Sequence, residues 1–168
     1  MTGSVPATDW DAATRELYAQ LLESWDKRNA RNYALLFASD ASLIGFDGSQ
    51  VNGQLEIGAH VSEVFTHHQT PRYIGIVREV RQISADATLL RANSGLIPPG
   101  KDDIDPALNA VQSLVAVRKS GAWKIALFQN TPAQFHLHPE QSKALTEELS
   151  NASRLPKSQN SGSLPSRQ

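Results

Sequence analysis

Two side chains of this 168-residue chain combine the right type with the right setting for moving a proton, His60 and Asp47. His60 is flanked within one helical turn by Ile57 and Val61. It therefore borders an apolar face and can point into an enclosed space where desolvation sets its pKa. Asp47 closes a strand-like run at Asp47-Gly48, which puts its carboxylate at the rim of any cavity the strand lines. Each has a plainer reading: a histidine satisfied at the edge of the core, and an aspartate bonding the backbone of its own turn. Amides and a guanidinium extend the set. Gln112 shares a strand face with Leu114 and Ala116, and Arg91 and Asn93 share one with Leu89, so each sets a polar head among apolar groups. Gln129 follows the parity of Trp123, Ile125 and Leu127, which puts Asn130 on the opposite face. Their plainer reading is backbone satisfaction at a strand end or a dimer contact. Trp25, Phe37, Phe46, Phe65 and Tyr73 are expected to line the wall of the same cavity, or to be plain core.

Several other chemistries are excluded or weakened. The chain has no cysteine, so it has no disulfide, no thiolate nucleophile and no thiolate zinc site. It has no G-x-S-x-G elbow and no G-x-G-x-x-G after a strand, which removes the usual serine hydrolase and dinucleotide arrangements. No cofactor is expected. His67-His68 and His136-x-His138 lack a fixed third and fourth ligand, and the acidic run Lys101 to Asp105 lacks the alternation and central glycine of a calcium loop. A formal net charge of −1 argues against a nucleic-acid partner, and Lys27, Arg28 and Arg31 read as a solvated helix end. No apolar run is long enough to span a membrane and no secretory segment opens the chain, so a cytoplasmic address is expected.

The elements that must position these residues fall in a clear order. Leu17, Leu21, Leu22 and Trp25 recur at helical spacing after a Thr8/Asp11 capping pattern, predicting a helix to about Lys27. A short helix from Ala30 to Phe37 follows, then a strand from Ala41 to Phe46, a turn at Asp47-Gly48 and a return through Ser49 to Asn52. A third helix starts at Gly53 and carries Ile57, Val61, Val64 and Phe65. Strands are predicted over Tyr73 to Ile83, Ala87 to Leu96, Val111 to Val117 and Trp123 to Phe128, the last two joined through Lys119-Ser120-Gly121. Helices in front and sheet behind imply an α+β architecture, a curved antiparallel sheet wrapped against three helices into a cone whose open end is a natural ligand site. The domain is expected over 8–137, after a flexible lead at 1–7. A short helix over 138–150 and a disordered tail over 151–168 follow it.

The chain resembles the nuclear transport factor 2-like superfamily, in particular its SnoaL-like branch of SgcJ/EcaC type. The residues that carry the likeness are LESWD at 22–26, GFDGS at 45–49, GQLEIGAH at 53–60, VREV at 77–80, LRA at 90–92, IPPG at 97–100, DPALNAVQSLV at 105–115 and WKIALFQNTPAQF at 123–135, in that order. The resemblance implies a cone-shaped, cystatin-like fold, homodimers through the sheet, and activities from cofactor-independent isomerases, cyclases and hydrolases to members without known chemistry. Members that catalyse polarise a carbonyl or epoxide with donors opposite the base, a role that would fall here to Gln112, Gln129 or Arg91. Two functions are therefore expected. One is binding, with or without acid/base catalysis, of a small hydrophobic polyketide-like molecule. The other is a non-catalytic dimeric association module, using the apolar face of Val111, Val115, Ala126 and Phe128.

Overall fold

The computed structural model describes residues 9–156. The expected lead, Thr8 of the capping pattern and the tail from 157 lie outside the described residues. Helix α1 (Asp9–Asp26) buries Thr14, Leu17, Tyr18, Leu21 and Ser24, a stripe of three- and four-residue steps that faces the sheet. Helix α2 (Ala30–Leu35) is capped by the Asn29 side chain, which accepts from the Asn32 amide at 2.9 Å. Strand β1 (Phe37–Ile44) and the short β2 (Gln50–Asn52) form a hairpin around Asp47-Gly48, where Gly48 supplies a φ of 88°. Helix α3 (Gln54–His67) and strands β3 (Arg72–Ser84), β4 (Ala87–Ile97), β5 (Ala110–Lys119) and β6 (Ala122–Pro132) follow, and α4 (Pro139–Ser153) closes the described chain.

The six strands form one sheet in the order β2-β1-β6-β5-β4-β3. Every pair is antiparallel except β1 with β6, which run parallel. That pairing moves the start of β1 to Phe37, four residues ahead of the predicted Ala41. The Ile125 amide donates to the Leu36 carbonyl, and Phe37 pairs with Ile125, so Ser39-Asp40 stays extended and exposed instead of breaking the chain.

Helices α1, α2 and α3 cover the concave face and fill it. Leu21, Phe37, Ile57, Val61, Leu90, Leu114 and Ile125 are all buried there in one apolar cluster. On the convex face α4 packs Leu145, Leu149 and Ala152 against Ile74, Ile97 and Ile104, forming a second cluster. The helix extends three residues past the predicted Ser150, because Ala152 completes this stripe at the spacing set by Leu145 and Leu149. Strand β3 is left as a sheet edge between α1 on one side and α4 on the other.

Candidate functional site

A β-bulge decides which polar groups enter the concave face. Opposite Val115 and Ala116 of β5 stand Leu127 and Ile125 of β6, with Ala126 as the extra residue. The inner parity therefore switches after Ile125 to Phe128 and Asn130, which are buried, while Leu127, Gln129 and Thr131 turn to the convex face. This corrects the expected alternation: Asn130, not Gln129, joins Gln112 inside. Gln129 is half-buried outside, where it donates to Thr131 Oγ1 at 3.3 Å.

The inward groups form one hydrogen-bonded chain across the apolar interior. The Tyr18 hydroxyl donates to Gln112 Oε1 at 2.5 Å, Gln112 Nε2 donates to Asn130 Oδ1 at 3.2 Å, and Asn130 Nδ2 donates to the Tyr73 hydroxyl at 3.2 Å. Gln112 is 1% exposed, so its two bonds in this chain replace water it cannot reach. Burial pushes the Tyr18 phenol far above its ordinary pKa and that of Tyr73 up to about 12, the latter partly offset by the Asn130 bond. Both stay neutral at physiological pH and serve as hydrogen-bonding groups rather than bases.

Tyr73 joins this chain to an aromatic cluster. Its ring lies 5.6 Å from that of Trp25, which also meets Phe65 at 5.2 Å and Tyr33 at 6.2 Å, and Tyr33 in turn meets Phe37 at 5.5 Å. The Trp25 indole donates to the Pro71 carbonyl at 3.1 Å. Beside Tyr73, at the edge of β3, a cleft of about 280 Å³ opens between the end of α1, the start of β3 and the end of α4. Its walls are apolar at Leu22, Ile74 and Ala152 and charged at Asp26 and Arg72. Asp26 Oδ1 accepts from the Tyr73 backbone amide at 2.9 Å, which fixes the carboxylate at the mouth. The cleft can hold a small hydrophobic body with a polar end.

The remaining candidates lie elsewhere. Phe37 and Leu114 are fully buried core, Phe65 is buried in the aromatic cluster, and Phe46 is half-buried beyond the end of β1. Arg91 is exposed on the convex face and pairs with Glu79 at 2.6 Å. Asn93, on the same face, accepts from Arg78 Nε at 2.8 Å and donates to the Ala110 carbonyl at 3.2 Å. His60 and Asp47 are both exposed. Asp47 Oδ1 accepts from the Ser49 amide at 2.9 Å. Hydrogen bonds from Ser49 hold its carboxyl below the usual range, and the charge of His60 contributes a smaller share. These two stand near each other on the outside and do not converge with Gln112. All five histidines are exposed, and no group of three metal-ligating side chains occurs among the described residues.

Asp26 and Asn130 went unread as site residues. Asp26 carried a signal: a carboxylate in the last turn of a helix opposes the helix dipole and so points to another task. Asn130 carried none, because the bulge that turns it inward arises from pairing between strands.

No protein-family model matches the chain, and no curated protein matches it. Solved structures do. A domain of unknown function with a cystatin-like fold from Nostoc punctiforme PCC 73102 superposes with a TM-score of 0.73 at 21% identity, covering 89% of this chain and 99% of that one. A putative calcium/calmodulin-dependent protein kinase type II association domain from Thiobacillus denitrificans ATCC 25259 gives 0.64 at 15% identity, over 71% and 94%. A hexachlorocyclohexane dehydrochlorinase, LinA type 2, gives 0.62 at 20% identity, over 74% and 85%. No described helix is long and apolar enough to cross a membrane. The fold of this chain is thus the cystatin-like, nuclear transport factor 2-like α+β cone.

Proposed function

We propose that the protein binds a small hydrophobic molecule with a polar end in the cleft beside Tyr73, its apolar part against Leu22, Ile74 and Ala152 and its polar end between Asp26 and Arg72. The observation that carries this reading is that the buried Tyr18-Gln112-Asn130-Tyr73 chain and the Trp25 cluster meet at that opening. A satisfied polar network in an apolar interior is rigid, which suits a preorganised wall. An acid/base activity at this site assigns the proton to Asp26 and the hydrogen-bond donor to neutral Tyr73. That the dehydrochlorinase shares the fold supports small-molecule chemistry on it. A site built on His60 and Asp47 is the alternative, open to solvent and away from the network.

Trp25 fluorescence tests the assignment directly, since its ring packs on Tyr73. Titration with small aromatic polyketides and simpler phenols should change the emission of the parent protein. Leu22→Trp, which fills the cleft, should weaken binding by roughly tenfold, about 1.4 kcal/mol. His60→Ala should leave it unchanged; the reverse pattern would move the site to His60.

A second reading rests on the part of the convex face that α4 leaves uncovered. Leu89, Val115 and Leu127 lie side by side in register there, half-buried, with Val111 at 44% exposure beside them. An apolar row of this kind suits a homodimer through the sheet. The association domain among the structural neighbours supports that use of the fold. Ala126 and Phe128, expected on this face, divide: Phe128 is buried inside and Ala126 is the bulge.

A further inference from the structure

The floor of the cleft beside Tyr73 is main chain. Tyr73, Ile74 and Gly75 line it from β3, an edge of the sheet, between walls supplied by α1 and by the end of α4. Successive residues of an antiparallel strand turn their N–H and C=O groups to opposite sides, and two hydrogen bonds fix which side each faces here. The Tyr73 amide donates to Asp26 Oδ1 at 2.9 Å, away from β4. Leu96, opposite Tyr73, also turns away, its carbonyl accepting from the Asp105 amide at 3.0 Å. The register runs without a shift from Arg72 to Val77, so Gly75, two residues on, has the orientation of Tyr73. Its N–H and its C=O therefore both point out of the sheet edge, on the side of the cleft. Gly75 is half-buried and carries no side chain to stand between these groups and Leu22, whose Cδ1 lies 2.7 Å from where a Cβ would be.

We propose that the ligand of this cleft is an acylated amino acid amide, which adds one residue of peptide-like backbone to the edge of β3. Its acylated N–H donates to the Gly75 carbonyl, and the carbonyl on the other side of the same carbon accepts from the Gly75 amide. Antiparallel pairing is the arrangement in which two residues exchange both bonds, and that direction carries the carboxamide end of the ligand toward Asp26 and Arg72. Its apolar side chain packs on Leu22. The cleft sets Glu23 and Asp26 against Arg72, two carboxylates to one guanidinium, so a neutral carboxamide suits it better than a free acid. At about 280 Å³ it lies at the lower end of small-molecule sites, roughly 300 to 1,000 Å³, which leaves room for one such unit and not for a strand. The register shift after Val77 also ends the regular edge there. The assignment rests on the cleft's being the binding site proposed above, and names its ligand class.

Titration of the full chain by two-dimensional ¹H–¹⁵N NMR tests this with three probes: N-acetyl-leucinamide, its ester analogue in which oxygen replaces the acetylated N–H, and p-cresol. N-acetyl-leucinamide should move the Gly75 amide proton downfield and slow its exchange with solvent, as a new hydrogen bond does. The ester keeps the shape and the carbonyl but leaves the Gly75 carbonyl without its donor, so it should bind roughly tenfold more weakly. p-Cresol, which occupies the cleft without a backbone-like pair, should shift its lining residues and leave the exchange of the Gly75 amide unslowed. Equal affinity for amide and ester, or a Gly75 amide untouched by N-acetyl-leucinamide while p-cresol shifts the cleft, would overturn the ligand class and leave the cleft as a binding site. No response around Tyr73 to any of the three would overturn both.

Discussion

Tyr18 holds its place because residue 75 has no side chain. A Cβ at Gly75 would lie 2.5 Å from the Tyr18 hydroxyl and 2.7 Å from Leu22 Cδ1, so the phenol reaches Gln112 only across a bare stretch of β3. Gly75→Ala should therefore destabilise the fold by about 1 to 3 kcal/mol in urea unfolding. Tyr18→Phe should also cost about 1 to 3 kcal/mol, since it leaves Gln112 Oε1 buried without its donor. The double variant should cost clearly less than the sum, because removing the hydroxyl relieves part of the clash. Full additivity would mean that Gly75 serves something other than Tyr18. At this scale the sequence was half legible. Gln112 could be placed inward from its company with Leu114 and Ala116, a pattern β5 keeps without interruption. Gln129 and Asn130 could not be told apart, since one bulged residue reverses the parity of everything beyond it. His60 was ambiguous for a different reason: three residues from Ile57 but one from Val61, it sits at the border of the helix's apolar stripe, and here that border faces water.

Among the elements, α4 shapes the cleft beside Tyr73 most directly, since its Ala152 and Ser153, with Leu155 just past its end, form one wall of it. Its docking combines the apolar stripe with polar ties: Arg78 to Glu148, Asn109 Nδ2 to Thr146 Oγ1 at 2.8 Å, and Ser150 to Asp103. Leu149, fully buried, is the centre of the stripe, and Leu149→Ala should cost about 2 to 5 kcal/mol in denaturant unfolding. The Asp103 tie adds a pH dependence. The Ser150 hydroxyl first, then the Ile104 amide, hold the Asp103 carboxyl below its ordinary value near 3.9. A depressed folded pKa contributes stability that is present above the unfolded value and lost as pH falls through the folded one. Melting temperature in the parent protein should fall across acid pH below about 4, and Asp103→Asn should flatten part of that fall. An unchanged acid profile would remove Asp103 from the docking of α4. Helix positions were legible because apolar spacing announces them. The face that α4 would cover was not, because the same stripe packs equally well on either side of a sheet.

For the whole molecule, the order of elements and the cone were legible in the pattern of helices followed by strands. The parallel pairing of β1 with β6 was not, being a contact between segments about ninety residues apart that no local signal marks. The uncovered apolar row on the convex face makes a prediction at this scale. The protein should elute as a dimer in light scattering, and Val115→Glu, which puts a charge in the middle of the row, should shift it to monomer without loss of helicity. A monomeric parent protein would leave the row as ordinary surface and remove the association reading. The cleft beside Tyr73 is the more consequential feature. A crystal structure of protein purified from its native host, or soaked with a ligand found by Trp25 fluorescence, measures its role most directly. Density for a small molecule between Leu22, Tyr73 and Ala152, with a polar group reaching Asp26 or Arg72, is the predicted result. Density seated instead at His60 and Asp47, with the cleft beside Tyr73 holding only water, would contradict it.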